Sequence, residues 1–154
     1  MNNNDRFTRL RYAFDFKDRD MVEIFALGGM EVGESTILKF LNRLDEDTYE
    51  ETLSDFQFES FLNGFITLKR GPSDLPVAYE LNAGNVNNVM LKKLKIALSM
   101  TSEDILDTWL AIDLVVTKSE LSAFLRKEGH RNYTRCEDNF ARNFIKGIMT
   151  QNRK

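Results

Sequence analysis

Gly28-Gly29-Met30-Glu31-Val32-Gly33-Glu34-Ser35 has the glycine spacing of a phosphate-cradling loop, GxxxxGK(S/T), which would make the chain a nucleotide binder. Glu34 stands where that loop needs lysine, and its carboxylate would repel the phosphates. A predicted helix also precedes the segment where the motif requires a strand. The segment therefore reads as a glycine-rich turn between helices, with Gly28 or Gly29 capping the earlier one. His130 is the single histidine, in the polar run Glu128-Gly129-His130-Arg131-Asn132, and no partner pair stands near it at zinc-ligand spacing. Cys136, the single cysteine, would need a lowered pKa and a base to act as a nucleophile, and no such base is identifiable. It reads as a small buried apolar residue. Asp45, Glu46, Asp47, Glu50 and Glu51 form an acidic loop without the ligand order of a calcium-binding loop. Neither a catalytic constellation nor a metal or cofactor site emerges, so the chain is expected not to be an enzyme.

The scaffold that must carry these residues is duplicated. Leu10, Ala13, Asp20, Val32, Ser35, Phe40, Leu41 and Tyr49 recur as Leu94, Ala97, Asp104, Val116, Ser119, Phe124, Leu125 and Tyr133, at a shift of 84. After the loss of one residue, Asp55, Phe61, Gly64, Thr67 and Arg70 recur as Asp138, Phe144, Gly147, Thr150 and Arg153, at a shift of 83. Helical spacing runs through both copies: Phe7, Leu10 and Phe14 match Leu91, Leu94 and Leu98. Met21, Ile24 and Phe25, after an N-cap at Asp18, match Ile105 and Trp109, after one at Ser102. A third helix shows Ile37, Phe40, Leu41 and Leu44 on its apolar side, with a capping box at Thr117–Glu120 in the second copy. A fourth opens at Ser54-Asp55-Phe56-Gln57, carries Phe58, Phe61, Leu62, Phe65 and Leu68, and stops at Gly71-Pro72. No convincing alternating strand appears. Both prolines, Pro72 and Pro76, fall in the extended stretch between copies.

The expected fold is all-α: two tandem four-helix repeats, 1–71 and 87–154, joined by a linker over 72–86 and packed with pseudo-two-fold symmetry. A lone half of this size would be marginal, so the copies should share one core. Gly64 and Gly147 each interrupt a strong helix, which predicts close helix crossing; with Phe61 and Phe144 they are candidates for packing between the repeats.

The runs Phe61-Leu62-Asn63-Gly64-Phe65-Ile66, Lys69-Arg70-Gly71 and Asn87-Asn88-Val89-Met90-Leu91-Lys92-Lys93-Leu94-Lys95-Ile96-Ala97-Leu98, with Asn3-Asn4, Leu10-Arg11-Tyr12-Ala13 and Asp20-Met21, resemble the YehS-like bacterial proteins. That resemblance implies an all-helical bacterial protein with a tandem domain of unknown function, and brings no catalytic residues to carry over. In the family pattern a cysteine precedes the aspartate in both copies. Here Cys136-Glu137-Asp138 keeps it and Leu53-Ser54-Asp55 does not, which argues against a paired-cysteine role.

Net charge is −3, but the first copy carries −5, the linker −2 and the second copy +4. Opposite halves suit attraction within or between chains, and the 12 phenylalanines suit a binding surface. The expected function is a non-enzymatic protein-binding or regulatory module with a protein partner or a homodimeric state. The polar start and the lack of a long apolar run predict a cytoplasmic protein without membrane insertion. The alternative is nucleic-acid binding. Arg9, Arg11, Lys92, Lys93, Lys95 and Arg153 would then contact phosphates, with the Asp20 to Leu41 segment arranged like a helix–turn–helix.

Overall fold

The computed structural model describes residues 1–74 and 78–153. Pro76 and the centre of the linker thus lie outside the described residues. Eight α-helices follow one another among those described: α1 (Asn3–Phe14), α2 (Asp18–Leu27), α3 (Glu34–Leu41), α4 (Asp55–Arg70), α5 (Val86–Ala97), α6 (Ser102–Leu110), α7 (Lys118–Leu125) and α8 (Asp138–Asn152). The fold is all-α and built from tandem repeats, as the periodicity requires. Outside the helices the described residues hold one isolated bridge, Arg43 with Tyr49.

Local chemistry sets the helix ends. The capping boxes at Ser54–Gln57 and Thr117–Glu120 form as expected. The N-caps of α2 and α6 lie one residue earlier than the sequence suggests. Asp20 reaches back to the Lys17 amide (2.8 Å) and Asp104 to that of Thr101 (2.8 Å), so Asp18 and Ser102 open the helices rather than cap them. Gly29 and Gly71 take left-handed backbone, with φ of 86° and 84°, where α2 and α4 are left behind. Leu44 is not part of the third helix's apolar side: α3 ends at Leu41, and Leu44 is exposed in the following loop.

The duplicated asparagine pairs explain that early stop. Asn4 donates to the carbonyls of Phe40 (2.9 Å) and Glu51 (2.8 Å) and accepts from the Leu53 amide (2.9 Å). Asn88 repeats the arrangement with Phe124 (3.0 Å), Thr134 (2.9 Å) and Cys136 (2.9 Å). One buried carboxamide in each repeat thereby ties down the last turn of its third helix and the return of the loop beyond. Asn3 and Asn87 add a second clamp, to Asp55 (2.8 Å) and Asp138 (2.8 Å) at the starts of α4 and α8.

Packing follows the duplication. Within repeats, α2 lies on α4 and α6 on α8; between repeats, α4 lies on α5 and α1 on α8. A pseudo-two-fold operation exchanges the latter two pairs, so both repeats contribute to one buried core. The glycine crossings are inside the repeats, which corrects the expectation for Gly64 and Gly147. A Cβ on Gly64 would sit 1.8 Å from the Ile24 carbonyl oxygen of α2, and one on Gly147 2.2 Å from that of Thr108 of α6. Phe61 likewise stacks edge-on with Phe7 (5.0 Å between centroids) and Phe144 with Trp109 (5.5 Å), each inside its own repeat.

The repeats differ in one buried detail with a measurable consequence. Tyr49 donates to Asp5 (2.7 Å), whereas the hydroxyl of its counterpart, Tyr133, is buried without a partner, because Val89 replaces Asp5. Removing a hydroxyl that bonds a charged group costs about 1.5–3 kcal/mol, whereas removing an unpaired buried one is nearly neutral. Urea titration is therefore expected to show a clear loss for Tyr49→Phe and none, or a gain, for Tyr133→Phe.

Candidate binding grooves between the repeats

The two inter-repeat helix pairs each form a groove, and the chain itself fills one of them. Along α4 and α5, residues 78–81 of the linker lie as an extended strap. The buried Glu59 carboxylate accepts the amides of Glu80 (2.7 Å) and Leu81 (2.9 Å) and is paired with buried Lys93 (3.1 Å). Lys93 also donates to the Ala78 carbonyl (2.9 Å) and to Asn63 Oδ1, while Asn63 reaches the same carbonyl at 3.4 Å. The Tyr79 ring stacks on Phe56 (4.7 Å), and its hydroxyl is 3.2 Å from Ser60 Oγ. An exposed ion pair between Glu80 and Lys92 (3.2 Å) closes the edge. The groove thus holds main-chain donors with a carboxylate and main-chain acceptors with an ammonium and an amide.

Along α1 and α8 lies the symmetry-related groove, an open cavity of about 380 Å³ lined by Arg9, Tyr12, Arg142, Asn143, Lys146 and Met149, among others. Four of these positions correspond to the strap's anchors. Arg9 replaces Lys93, Arg142 replaces Glu59, Asn143 replaces Ser60 and Lys146 replaces Asn63. No ion pair forms at Arg9, Arg142 or Lys146 among the described residues. Tyr12 is 62% exposed, which leaves an aromatic face available beside the cations. At the groove's end Arg153 lies over the Tyr12 ring (5.1 Å) and donates to the Tyr12 carbonyl (2.8 Å).

The basic residues singled out in the sequence are scattered. Arg9 and Arg153 meet at the open groove, but Lys93 is buried under the strap. Lys92 is paired with Glu80, Arg11 with Asp18 (3.2 Å), and Lys95 is half-buried. The turn from Gly28 to Gly33 follows a helix, and α3 exposes a single cation, Lys39. His130 sits on an exposed loop and accepts the Asn132 amide through Nδ1 (3.0 Å). Cys136 is buried, and desolvation, reinforced by Glu137 and Asp138, pushes its thiol up to about 12. Among the described residues no three His, Cys, Asp or Glu side chains converge as a metal set. No helix among them is long and apolar enough to cross a membrane.

Sequence reasoning missed Arg6, Glu59, Arg142 and Lys146. Arg6 bridges the repeats, donating to Asn87 (2.8 Å) and pairing with Asp138 (3.5 Å). The reversal from Glu59 to Arg142 at aligned positions was the available signal for the grooves.

Comparison with known proteins agrees with the duplication. Residues 3–71 and 87–154 each match the model of a family described as "Protein of unknown function (DUF1456)". The chain is 35% identical over 151 residues to the uncharacterized protein YehS of Escherichia coli (strain K12), covering 98% of this chain and 96% of the relative. No solved structure matches.

Proposed function

The chain belongs to this family of unknown function, and on that footing we propose that it is a non-enzymatic, protein-binding module whose α1–α8 groove receives an extended segment of a partner protein. The observation that carries this reading is the strap. A groove of the same construction already holds an extended segment through main-chain bonds, and its symmetry mate stands open. Recognition of that kind draws affinity from the main chain and specificity from adjoining pockets.

Photo-crosslinking in a bacterial host tests the proposal. A photoreactive residue at Tyr12, inside the groove, is expected to trap a discrete protein. The same residue at Leu38, exposed on α3 and outside the groove, is expected to trap none. Identical adducts from both positions would defeat the reading. One observation favours nucleic acid as a second reading: the exposed loop after α7 carries Arg126, Lys127, Arg131 and Arg135, where the equivalent loop after α3 is acidic. Adducts at Tyr12 that disappear on nuclease treatment would favour it.

A further inference from the structure

The charge of the open groove specifies its occupant more narrowly, an inference that rests on the binding role proposed above. In the strap groove, Glu59 accepts the strap's N–H groups, while Asn63 donates to its Ala78 carbonyl. In the open groove, the equivalent residues are Arg142 and Lys146, and Arg9 stands opposite on α1. Guanidinium and ammonium groups donate and never accept. This set cannot hold main-chain N–H groups; it needs acceptors. Three cations around one cavity also repel one another, and no acidic side chain lines it. An anionic ligand relieves that repulsion and satisfies the donors together. Between the cations, Tyr12, Ile145 and Met149 supply apolar contact, which suits a chain segment better than a bare ion.

We propose that the α1–α8 groove binds an acidic peptide segment of another protein, its carboxylates paired with Arg9, Arg142 and Lys146 and an intervening apolar side chain set against Tyr12 and Met149. The strap indicates the scale: the stretch 78–81 fills the sister groove.

The test uses the full chain and short synthetic peptides in which leucine alternates with glutamate, glutamine or lysine. Binding is followed by calorimetry and by amide resonances at low salt. The glutamate peptide is expected to bind, shifting the amides of Arg9, Arg142 and Lys146, and to weaken steeply as salt is added. Arg142→Glu is expected to weaken it at least about tenfold, the scale on which close charge pairs contribute at interfaces. Because Glu59 occupies the equivalent position, this variant is expected to fold, which its amide spectrum checks directly. The double variant R142E/K146N restores the strap groove's side chains at these two positions and is expected to lose the preference for glutamate over glutamine. Equal binding of the glutamine and glutamate peptides in the groove would overturn the acidic assignment and leave the protein-binding reading intact. Failure of every peptide, together with no adduct at Tyr12, would overturn both. Dimerisation of the chain that Arg142→Glu abolishes would overturn it by assigning the groove to a second copy. Displacement of the glutamate peptide by a single-stranded oligonucleotide at equal concentration would overturn it in favour of nucleic acid.

Discussion

Gly64→Ala is expected to destabilise the protein by about 1–3 kcal/mol, seen as a lower urea midpoint at unchanged slope. Helix propensity alone predicts the opposite sign, because alanine in a helix interior is favoured over glycine by about 1 kcal/mol. The crossing of α2 and α4 decides the contest. The added methyl would stand 1.8 Å from the Ile24 carbonyl oxygen and 2.9 Å from the Gly28 nitrogen, both backbone atoms. No rotamer change relieves such a clash, so the helices must separate and open the phenylalanine cluster beneath them. Gly28 makes the contact reciprocal, since a Cβ there would meet the Ser60 carbonyl oxygen at 1.9 Å. Gly147→Ala is expected to behave alike but more mildly: its methyl would meet the Thr108 carbonyl oxygen at 2.2 Å, and the equivalent of Gly28 is Ile112. A stabilised Gly64→Ala protein would mean that the helices do not cross this closely.

Those glycines show where sequence reasoning stops. Their position inside strong helices announces a close crossing, but not which helix comes near. That depends on α1 and α5, rather than α4 and α8, filling the surface opposite the other repeat's last helix. The asparagine pairs are a parallel case. Their recurrence marks the start of each repeat, yet their work is done on carbonyls and amides 36 to 50 residues away, which no local pattern encodes. Helix number and type were legible because apolar spacing and capping residues act locally. The end of α3 was not, because Asn4 draws the chain away after Leu41 although Leu44 continues the apolar spacing.

The grooves were hidden for a related reason. Matching basic positions such as Arg9 and Lys93 suggest a shared role, but one is exposed beside other cations and the other is buried against Glu59. Divergence between copies carried more meaning than similarity. Where Glu59 stands opposite Arg142 in the alignment, and Asn63 opposite Lys146, the equivalent surfaces suit two different occupants: the strap in one groove and, by the proposal above, an acidic segment in the other.

Glu59→Leu is the sharpest test of the strap, with an expected cost of about 3–5 kcal/mol. The loss arises in two ways. Lys93 is left without its counter-ion in a buried setting, with Asn63 and a single carbonyl as neighbours, and the Glu80 and Leu81 amides lose their acceptor. The double variant Glu59→Leu with Lys93→Met removes both charges and is expected to recover much of the stability, since apolar replacement of a whole buried pair is often neutral. It cannot recover the strap. Hydrogen exchange at the Glu80 and Leu81 amides is therefore expected to rise sharply in both variants, whatever their global stability. If protection there survives in the double variant, the carboxylate is not what holds the strap. The α4–α5 groove would then be no guide to how its open counterpart captures a chain segment.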